Sequence, residues 1–365
     1  MEFIPISAPD LTLLEEGYLV DAYKSGWVSS SGPYVEKLES ILPTFTGTNF
    51  ATPVSNGTTA LHLALLALDI NAGDEVIIPN LSYVAVANAV IYCGAIPILC
   101  DVTESNLAID ANEVLKKISP KTKAIIVVHN YGFFTDVLEI KKLVKPFGIK
   151  IIEDCAEAPF LSVNGITTGT QGDIATYSFF GNKVVTSGEG GCVASNDIDL
   201  IKKVNYLKNQ ANIPENRFVF EDLGYNYRMT NLQAAVLVGQ LERFEELISS
   251  RYRVFETYQK YLKNNKKIRL VTSDPISNMS PWLFSIRVNQ GDVQNIMTYL
   301  HRKGIDTRPF FSPHSLAKRF RTPAAYPISE ALNNECFNLP TFPKLSDDKI
   351  EYICSQINHY FNTSS

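Results

Sequence analysis

The sequence predicts an α/β fold with a large domain built on a mostly parallel sheet, followed by a smaller C-terminal α+β domain. From about residue 55 to 200, short β-branched runs alternate with helical runs, as parallel strands joined by crossover helices require. The runs 76–78 and 125–128 are apolar at every position, which is typical of strands covered on both faces. Beyond Gly191 the alternation ends, which indicates a second domain.

The elements of the large domain follow one another at short intervals. Ser55-Asn56-Gly57-Thr58 opens the first predicted helix, and apolar β-branched runs mark the strands. We expect strands over residues 75–79, 96–100, 124–129 and 150–154, and helices over residues 56–68, 83–92, 111–117 and 137–145.

The second half of the chain carries a different pattern. A helical stretch over residues 231–262 precedes strands at 267–271 and 283–288 and helices at 293–303 and 347–361. We therefore place the domain boundary near residue 245. Residues 1–245, with the N-terminal segment included, form the predicted large domain, and residues 246–365 form the small one.

Composition limits the classes of function. The 365 residues are 45% apolar and 19% charged, a globular composition that can bury a sizeable core. The net charge is −5 and no long basic run occurs, so we expect neither a nucleic-acid nor a membrane partner. A phosphate-bearing ligand would therefore need local donors.

The six cysteines form no C-x-x-C pair and have no histidines at zinc-ligand spacing, so we expect reduced thiols in a cytoplasmic protein and no metal site. The N-terminus lacks the basic and apolar regions of a signal peptide. The longest apolar runs are shorter than the roughly 20 residues that span a bilayer.

Three segments carry residues suited to chemistry at the carboxyl ends of strands, where open α/β sheets bind ligands. In the first, Ser55-Asn56-Gly57-Thr58-Thr59, the glycine permits close backbone approach and the helix start offers unpaired N–H groups to an anion. An ordinary helix N-cap is the alternative.

The second segment, Glu153-Asp154-Cys155-Ala156-Glu157, closes an apolar strand with acidic residues. Such a carboxylate could bind a metal, act as a base or pair with a cationic ring nitrogen, and a capping role is the structural alternative.

The third segment places Lys183 after Ser178-Phe179-Phe180-Gly181-Asn182 and before Gly188-Glu189-Gly190-Gly191. A lysine among aromatic and small residues is unusual, because long charged side chains rarely lie in apolar surroundings. Desolvation there favours the nucleophilic amine that Schiff-base chemistry needs, although a structural lysine remains the alternative.

Together the three segments match the requirements of pyridoxal 5'-phosphate (PLP). Its phosphate needs N–H and hydroxyl donors, its pyridine nitrogen needs a carboxylate, and its aldehyde needs an amine.

At this point the chain resembles the DegT-type PLP-dependent sugar aminotransferases of fold type I, in the perosamine-synthase-like branch, over nearly its whole length. The resemblance is carried by long motifs: Gly26-Trp27-Val28-Ser29-Ser30, Ser55-Asn56-Gly57-Thr58-Thr59-Ala60-Leu61, Glu153-Asp154-Cys155-Ala156-Glu157-Ala158, Ser178-Phe179-Phe180-Gly181-Asn182-Lys183, Gly188-Glu189-Gly190-Gly191 and Gly224-Tyr225-Asn226-Tyr227-Arg228-Met229-Thr230-Asn231.

The resemblance implies a role for each residue of the cofactor site. Lys183 would form the internal aldimine and then move the proton, Asp154 would pair with the pyridinium nitrogen, and Glu157 would lie near the phenolic oxygen. Tyr83 would stack on the ring, with a core position as its alternative.

The remaining implied contacts involve the phosphate. The backbone of Gly57 and Thr58 and the Ser178 hydroxyl would hold it. Asn226 would reach the phosphate of a neighbouring subunit, so that the active site needs a homodimer, or else it is a turn residue.

The substrate contacts rest on three segments. Arg308, His314 and the segment from Trp27 to Ser29 are candidates, with surface or core packing as the alternative. The segments 129–137 and 308–314 depart from the family pattern, which leaves the nucleotide open between GDP, dTDP and UDP.

The resemblance implies an aminotransferase that takes the amino group of L-glutamate and places it on C4 of a nucleotide-linked 4-keto-6-deoxyhexose, in amino-sugar synthesis for a surface polysaccharide. The alternatives are a 3-aminotransferase, a dehydratase, a desulfurase and a non-catalytic regulator. Lys183 argues against the dehydratases, in which a histidine replaces it, and no cysteine lies in an evident glycine-rich catalytic loop, as a desulfurase would need.

Overall fold

The structure, a computed structural model, describes residues 3–213, 220–288, 292–320 and 324–363. Its helices are α1 (Leu13–Lys24), α2 (Pro33–Thr46), α3 (Gly57–Ala67), α4 (Ala85–Tyr92), α5 (Ala111–Lys117), α6 (Val137–Val144), α7 (Ile198–Lys208), α8 (Asn231–Glu242), α9 (Phe244–Leu262), α10 (Val293–Arg302), α11 (Pro327–Glu335) and α12 (Asp347–Thr363). Its strands are β1 (Phe50–Val54), β2 (Glu75–Pro79), β3 (Ile96–Cys100), β4 (Thr122–Val128), β5 (Lys150–Asp154), β6 (Ser162–Val163), β7 (Ile166–Thr167), β8 (Ile174–Ser178), β9 (Gly191–Ser195), β10 (Ile268–Val271), β11 (Phe284–Val288), β12 (Arg308–Pro309) and β13 (Cys336–Leu339).

The large sheet has seven strands in the order β1-β9-β8-β5-β4-β2-β3. Strands β3, β2, β4, β5 and β8 pair in parallel, whereas β9 is antiparallel to both of its neighbours. The prediction of a mostly parallel sheet is therefore confirmed. Its parallel strands bring their carboxyl ends to one edge, and the ligand-binding side chains are expected there.

Both faces of this sheet are covered, as the fully apolar runs predicted. Ile126 packs in a cluster with α3 and α4 residues on one face, while its neighbours Ile125 and Val127 pack with α5 and α6 residues on the other. Successive side chains of a strand point to opposite faces, so a strand buried on both sides must be apolar throughout.

A second sheet, of order β10-β11-β13-β12, is antiparallel and packs with α9, α10 and α12 in one apolar cluster. The N-terminal segment also reaches this part of the molecule, because the Ile4 N–H donates to Gly304 O at 2.8 Å and Ile4 belongs to the same cluster. The boundary near residue 245 stays a prediction; α9 begins at Phe244.

Several predicted elements need correction. The single helix over residues 231–262 is two helices that meet at Arg243, whose guanidinium turns back to Asp10 and Glu15 on the N-terminal segment. The helix predicted from residue 83 begins at Ala85. Helices α1, α2, α7 and α11 and strands β1, β8, β9 and β13 lie outside the predicted elements. No helix among the described residues is long and apolar enough to cross a membrane.

Candidate active site

A cleft of about 330 Å³ opens where the parallel strands end. Asp154 closes β5, Ser178 closes β8, and Tyr83 follows β2, so sheet topology alone brings these distant residues together. Their side chains line the cleft with those of the lysine loop and of α3. The three segments selected from the sequence thus share one site.

The N-terminus of α3 forms one end of the cleft. Asn56 caps the helix by accepting a hydrogen bond from the Thr59 N–H at 2.9 Å. The N–H groups of Gly57 and Thr58 line the cleft without an acceptor in the described part of the chain. A Cβ atom on Gly57 would lie 2.8 Å from the Cβ of Ser178, so only glycine leaves the helix start and the Ser178 hydroxyl side by side. These groups form an anion-binding cradle.

Asp154 also lines the cleft and is 5% exposed. One carboxylate oxygen accepts a hydrogen bond from the Ala156 N–H at 3.0 Å. Burial raises the pKa of this carboxyl, while that hydrogen bond and the charge of Lys183 oppose the rise. A cationic ring nitrogen would supply the positive partner that stabilises the buried carboxylate.

Lys183 projects from a tight loop in which its N–H donates to Phe180 O at 2.9 Å. Its Nζ atom lies 4.2 Å from the centre of the Trp282 ring. Desolvation lowers the pKa of the amine, and the charges of Glu157 and Asp154 partly oppose this. The amine is therefore easier to deprotonate than a lysine in water, as a nucleophile must be.

Glu157 is a buried carboxyl on the same side of the cleft. It accepts a hydrogen bond from the Tyr131 N–H at 2.5 Å. Desolvation raises its pKa to about 7, because the charge of Lys183 and this hydrogen bond offset burial only in part. Glu157 can therefore exchange a proton near neutral pH.

Aromatic side chains form the open wall of the cleft. Tyr83, which is 58% exposed, and Phe311 line it with ring centroids 5.7 Å apart, and Trp282 adjoins Phe311. The exposure of Tyr83 fits a ring-stacking position better than a core position. Phe311 and Trp282 were not among the predicted site residues: Phe311 lies in the segment 308–314, of which only Arg308 and His314 were selected, and no local motif marks Trp282.

The remaining predicted contacts lie away from the residues that line the cleft. The Asn226 side-chain oxygen accepts from Arg228 Nη2 at 3.2 Å, and its backbone bridges to Asn209. The carbonyls of Trp27 and Ser29 accept from the side chain and N–H of Asn231, which ties their segment to the start of α8. Contact with the phosphate of a neighbouring subunit stays a prediction for Asn226, and substrate contact stays a prediction for Trp27 and Ser29.

Arg308 and His314 have different surroundings. Arg308 is exposed and pairs with Asp306. His314 is 3% exposed, and its Nε2 atom lies 2.9 Å from the Ser82 hydroxyl. Since Ser82 adjoins Tyr83, His314 supports the wall of the cleft from behind. Direct substrate contact by either residue stays a prediction.

Behind β5, His129, Glu153 and Cys155 lie close enough to share a metal ion. The polar atoms of His129 and Glu153 already have hydrogen-bond partners, however. The His129 Nε2 atom bonds to Glu153, whose carboxylate also accepts from the N–H groups of residues 169, 171 and 172, and His129 Nδ1 accepts from Thr135 N–H. We interpret the cluster as a buried hydrogen-bond network that joins the end of β5 to residues 129–135 and 169–172.

Two relatives match almost the full length of the chain. The GDP-perosamine synthases of Vibrio cholerae and Escherichia coli O157:H7 are 41% and 39% identical, over 98% and 99% of this chain and 99% and 100% of theirs.

Solved structures agree with the sequence relatives. The aminotransferase TlmJ from Streptoalloteichus hindustanus superposes with a TM-score of 0.95 at 26% identity, over 100% of both chains. The PLP-form of the putative sugar aminotransferase Spr1654 from Streptococcus pneumoniae gives 0.90 at 25% identity, over 98% of both chains. A sequence profile matches residues 10–358, and the chain therefore belongs to the DegT/DnrJ/EryC1/StrS aminotransferase family.

Proposed function

We propose that this protein is a PLP-dependent aminotransferase that moves an amino group from L-glutamate to C4 of a GDP-linked 4-keto-6-deoxyhexose. One observation carries the proposal. The Lys183 amine is enclosed beside two buried carboxyls, Asp154 and Glu157, in a cleft that ends at the free N–H groups of α3.

The residues of the cleft fit PLP. The cradle of Gly57, Thr58 and Ser178 suits its phosphate, and Asp154 suits its ring nitrogen. Asn182 supplies an independent sign of a ligand, because its Oδ1 atom is buried and has no partner in the described residues. When bound, PLP supplies an electron sink for the carbon that gains or loses a proton.

The residues of the chain perform the remaining tasks. Lys183 would provide the amine that holds the cofactor and, when free, would carry the proton that the substrate carbon gains or loses. Asp154 would hold the ring nitrogen in its protonated form through its charge. Tyr83 and Phe311 would cover the cofactor ring with the apolar surface that they present to the cleft, and exclusion of water would strengthen the electrostatic contacts inside it.

The choice of sugar rests on the relatives, two of which are named GDP-perosamine synthases at about 40% identity. A C4 ketone and a GDP group follow from that name, and synthesis of a surface polysaccharide follows from the same likeness. A cytoplasmic location fits the six free thiols.

A homodimer is part of the proposal because the cleft lacks cations for its substrates. Its described lining carries three carboxyls, Asp154, Glu157 and Glu189, and a single cation, Lys183. Glutamate and a nucleotide diphosphate are both anionic. Cations from a neighbouring subunit would restore the balance, and apolar groups for its docking are present, since Leu13 is 82%, Leu223 75% and Trp27 54% exposed.

The test is a panel of GDP-, dTDP- and UDP-linked 4-keto-6-deoxy sugars incubated with the protein, PLP and ¹⁵N-glutamate. We expect ¹⁵N in the GDP sugar by mass spectrometry, with the nitrogen at C4 by NMR. The matched control is Lys183→Ala, which should transfer no label. Label at C3, or label transfer by Lys183→Ala, would contradict the proposal.

A further inference from the structure

The ring of Trp282 lies against the amine of Lys183. Trp282 is 3% exposed, and the Lys183 Nζ atom lies 4.2 Å from its ring centre. Cations prefer the face of tryptophan over other aromatic faces, and enclosure away from water strengthens the contact. The indole face thus provides a binding position for the free ammonium group of Lys183.

The backbone beneath this contact is tied from both sides. The Trp282 indole N–H donates to Asn182 O at 3.0 Å. The Arg251 guanidinium donates to Trp282 O at 3.1 Å and to Lys183 O at 3.2 Å. The residues that meet through their side chains are therefore also joined through their main chains.

Burial of the Arg251 guanidinium destabilises the fold, so packing alone does not explain this residue. It is 2% exposed, burial lowers its pKa to about 10, and its Nε atom has no partner among the described residues. A buried cation held by carbonyls alone, here also Thr341 O at 3.3 Å, destabilises a fold relative to an apolar residue of the same size. Arg251 thus links the carbonyls of Lys183 and Trp282 and fixes their relative position.

We propose that Trp282 is a positioning residue that holds the Lys183 amino group on its indole face whenever that group is not bonded to the cofactor. The proposal rests on the proposed function, in which Lys183 alternates between a bonded and a released state. Between the two half-reactions the released amine must stay in the cleft, beside both carboxyls, without forming an ion pair with either. Binding on the neutral indole ring of Trp282 achieves this. An ion pair between the amine and Asp154 would instead neutralise the carboxylate that the cofactor's pyridine nitrogen needs.

The charges around the amine enter any pH dependence. Asp154 and Glu157 face it from the end of β5 and the segment that follows, and Glu189 lines the same cleft. Arg251 of α9 binds the Lys183 carbonyl, and Trp282 itself is neutral. A test must therefore change the ring without changing these groups.

Fluorinated tryptophan meets this requirement, because fluorine withdraws electrons from the ring at almost constant volume. The chain has only two tryptophans, so global incorporation labels Trp27 and Trp282 alone. The full-length protein, stripped of cofactor, is mixed with PLP, and the amine and aldehyde condense with loss of one water. The rate is followed by absorbance against pH, and the adduct at Lys183 is fixed with borohydride and located by peptide mass.

The expected result is a stepwise shift of the midpoint of the rate profile to lower pH from mono- to di- to trifluorotryptophan. A weaker ring face stabilises the ammonium less, so the amine forms at lower pH. The largest shift should reach about 0.4–1.5 pH units, the range that a cation–π contact supports. The matched control is Trp282→Phe grown on the same analogues, in which Trp27 alone is fluorinated and the midpoint should not move along the series.

The outcomes separate the two proposals. An unchanged midpoint along the series, with the Lys183 adduct formed, would refute the role of Trp282 and leave the proposed function intact. Absence of the adduct in the unlabelled protein would refute the proposed function itself. A merely structural tryptophan would lower the melting temperature of Trp282→Phe without any dependence of the midpoint on fluorine.

Discussion

Replacing Gly57 by alanine tests the phosphate cradle, because a Cβ atom at position 57 would collide with Ser178. The new Cβ would lie 2.8 Å from Ser178 Cβ and 3.1 Å from Ser178 Oγ, whereas ordinary contacts fall between 3.4 and 4 Å. One side or the other must therefore move by about 0.6–1.2 Å for the Cβ pair. Such a shift displaces the Ser178 hydroxyl from the helix start, so the cradle opens.

The magnitude follows from the contacts at risk. A hydrogen bond to a charged group is worth about 1.5–3 kcal/mol, so losing one phosphate contact should weaken PLP binding about 10- to 100-fold. Overpacking should also lower stability by about 1–3 kcal/mol, because Gly57 is the first residue of α3 and lies outside the helix interior, where alanine is favoured.

The assay is PLP affinity by absorbance titration, arranged as a double-mutant cycle with Ser178→Gly. This second change removes the Cβ atom that the alanine would meet, and the next Ser178 atom, Cα, lies at 3.4 Å. Gly57→Ala should therefore have little effect on affinity in the Ser178→Gly background. An equal loss of affinity in both backgrounds, or wild-type affinity in Gly57→Ala alone, would refute the steric reasoning.

Three further predictions concern titrating groups. Asp154→Asn should keep PLP bound to Lys183 but slow the glutamate half-reaction about 10²–10³-fold by stopped-flow absorbance, and a wild-type rate would contradict the role of its charge. The pKa of Glu157 is raised from 4.5 to about 7, so the folded protein loses stability as pH rises through that range. Cofactor-free Glu157→Gln should therefore be more stable than the wild type above pH 7, by up to about 3 kcal/mol in urea unfolding. The difference should vanish near pH 4.5. Burial lowers the pKa of His314 from 6.5 to about 4, so stability is lost as pH falls through that range. His314→Asn should reduce this loss by up to about 3 kcal/mol, and an unchanged acid-unfolding curve would contradict this expectation. His62, whose pKa is lowered to the same value, stays in place as the internal reference.

The sequence was informative where chemistry and secondary structure share one segment. The start of α3, the end of β5 and the lysine loop could be recognised because caps, strand ends and glycines leave local signals. The predicted bounds of the strands over residues 75–79, 96–100 and 150–154 and of the helix over residues 111–117 match the structure residue for residue.

Contacts between remote segments could not be predicted in this way. Trp282 and Phe311 reach the cleft from 99 and 128 residues beyond Lys183, and only the packing of the second sheet brings them there. The antiparallel β9 leaves no sign either, because its buried residues resemble those of a parallel strand. The helix break at Arg243 depends on acidic partners more than two hundred residues earlier.

The pairing of the first residues with the last quarter of the chain makes the fold depend on both ends of the sequence. Asp306 N–H donates to Ile4 O at 2.9 Å, and Thr341 N–H donates to Ile6 O at 2.8 Å. Because of this pairing, the backbone contacts of Ile4 and Ile6 can form only once residues 304–341 are available. The apolar cluster that contains both Ile4 and Trp282 therefore depends on contacts between segments about 300 residues apart in the sequence.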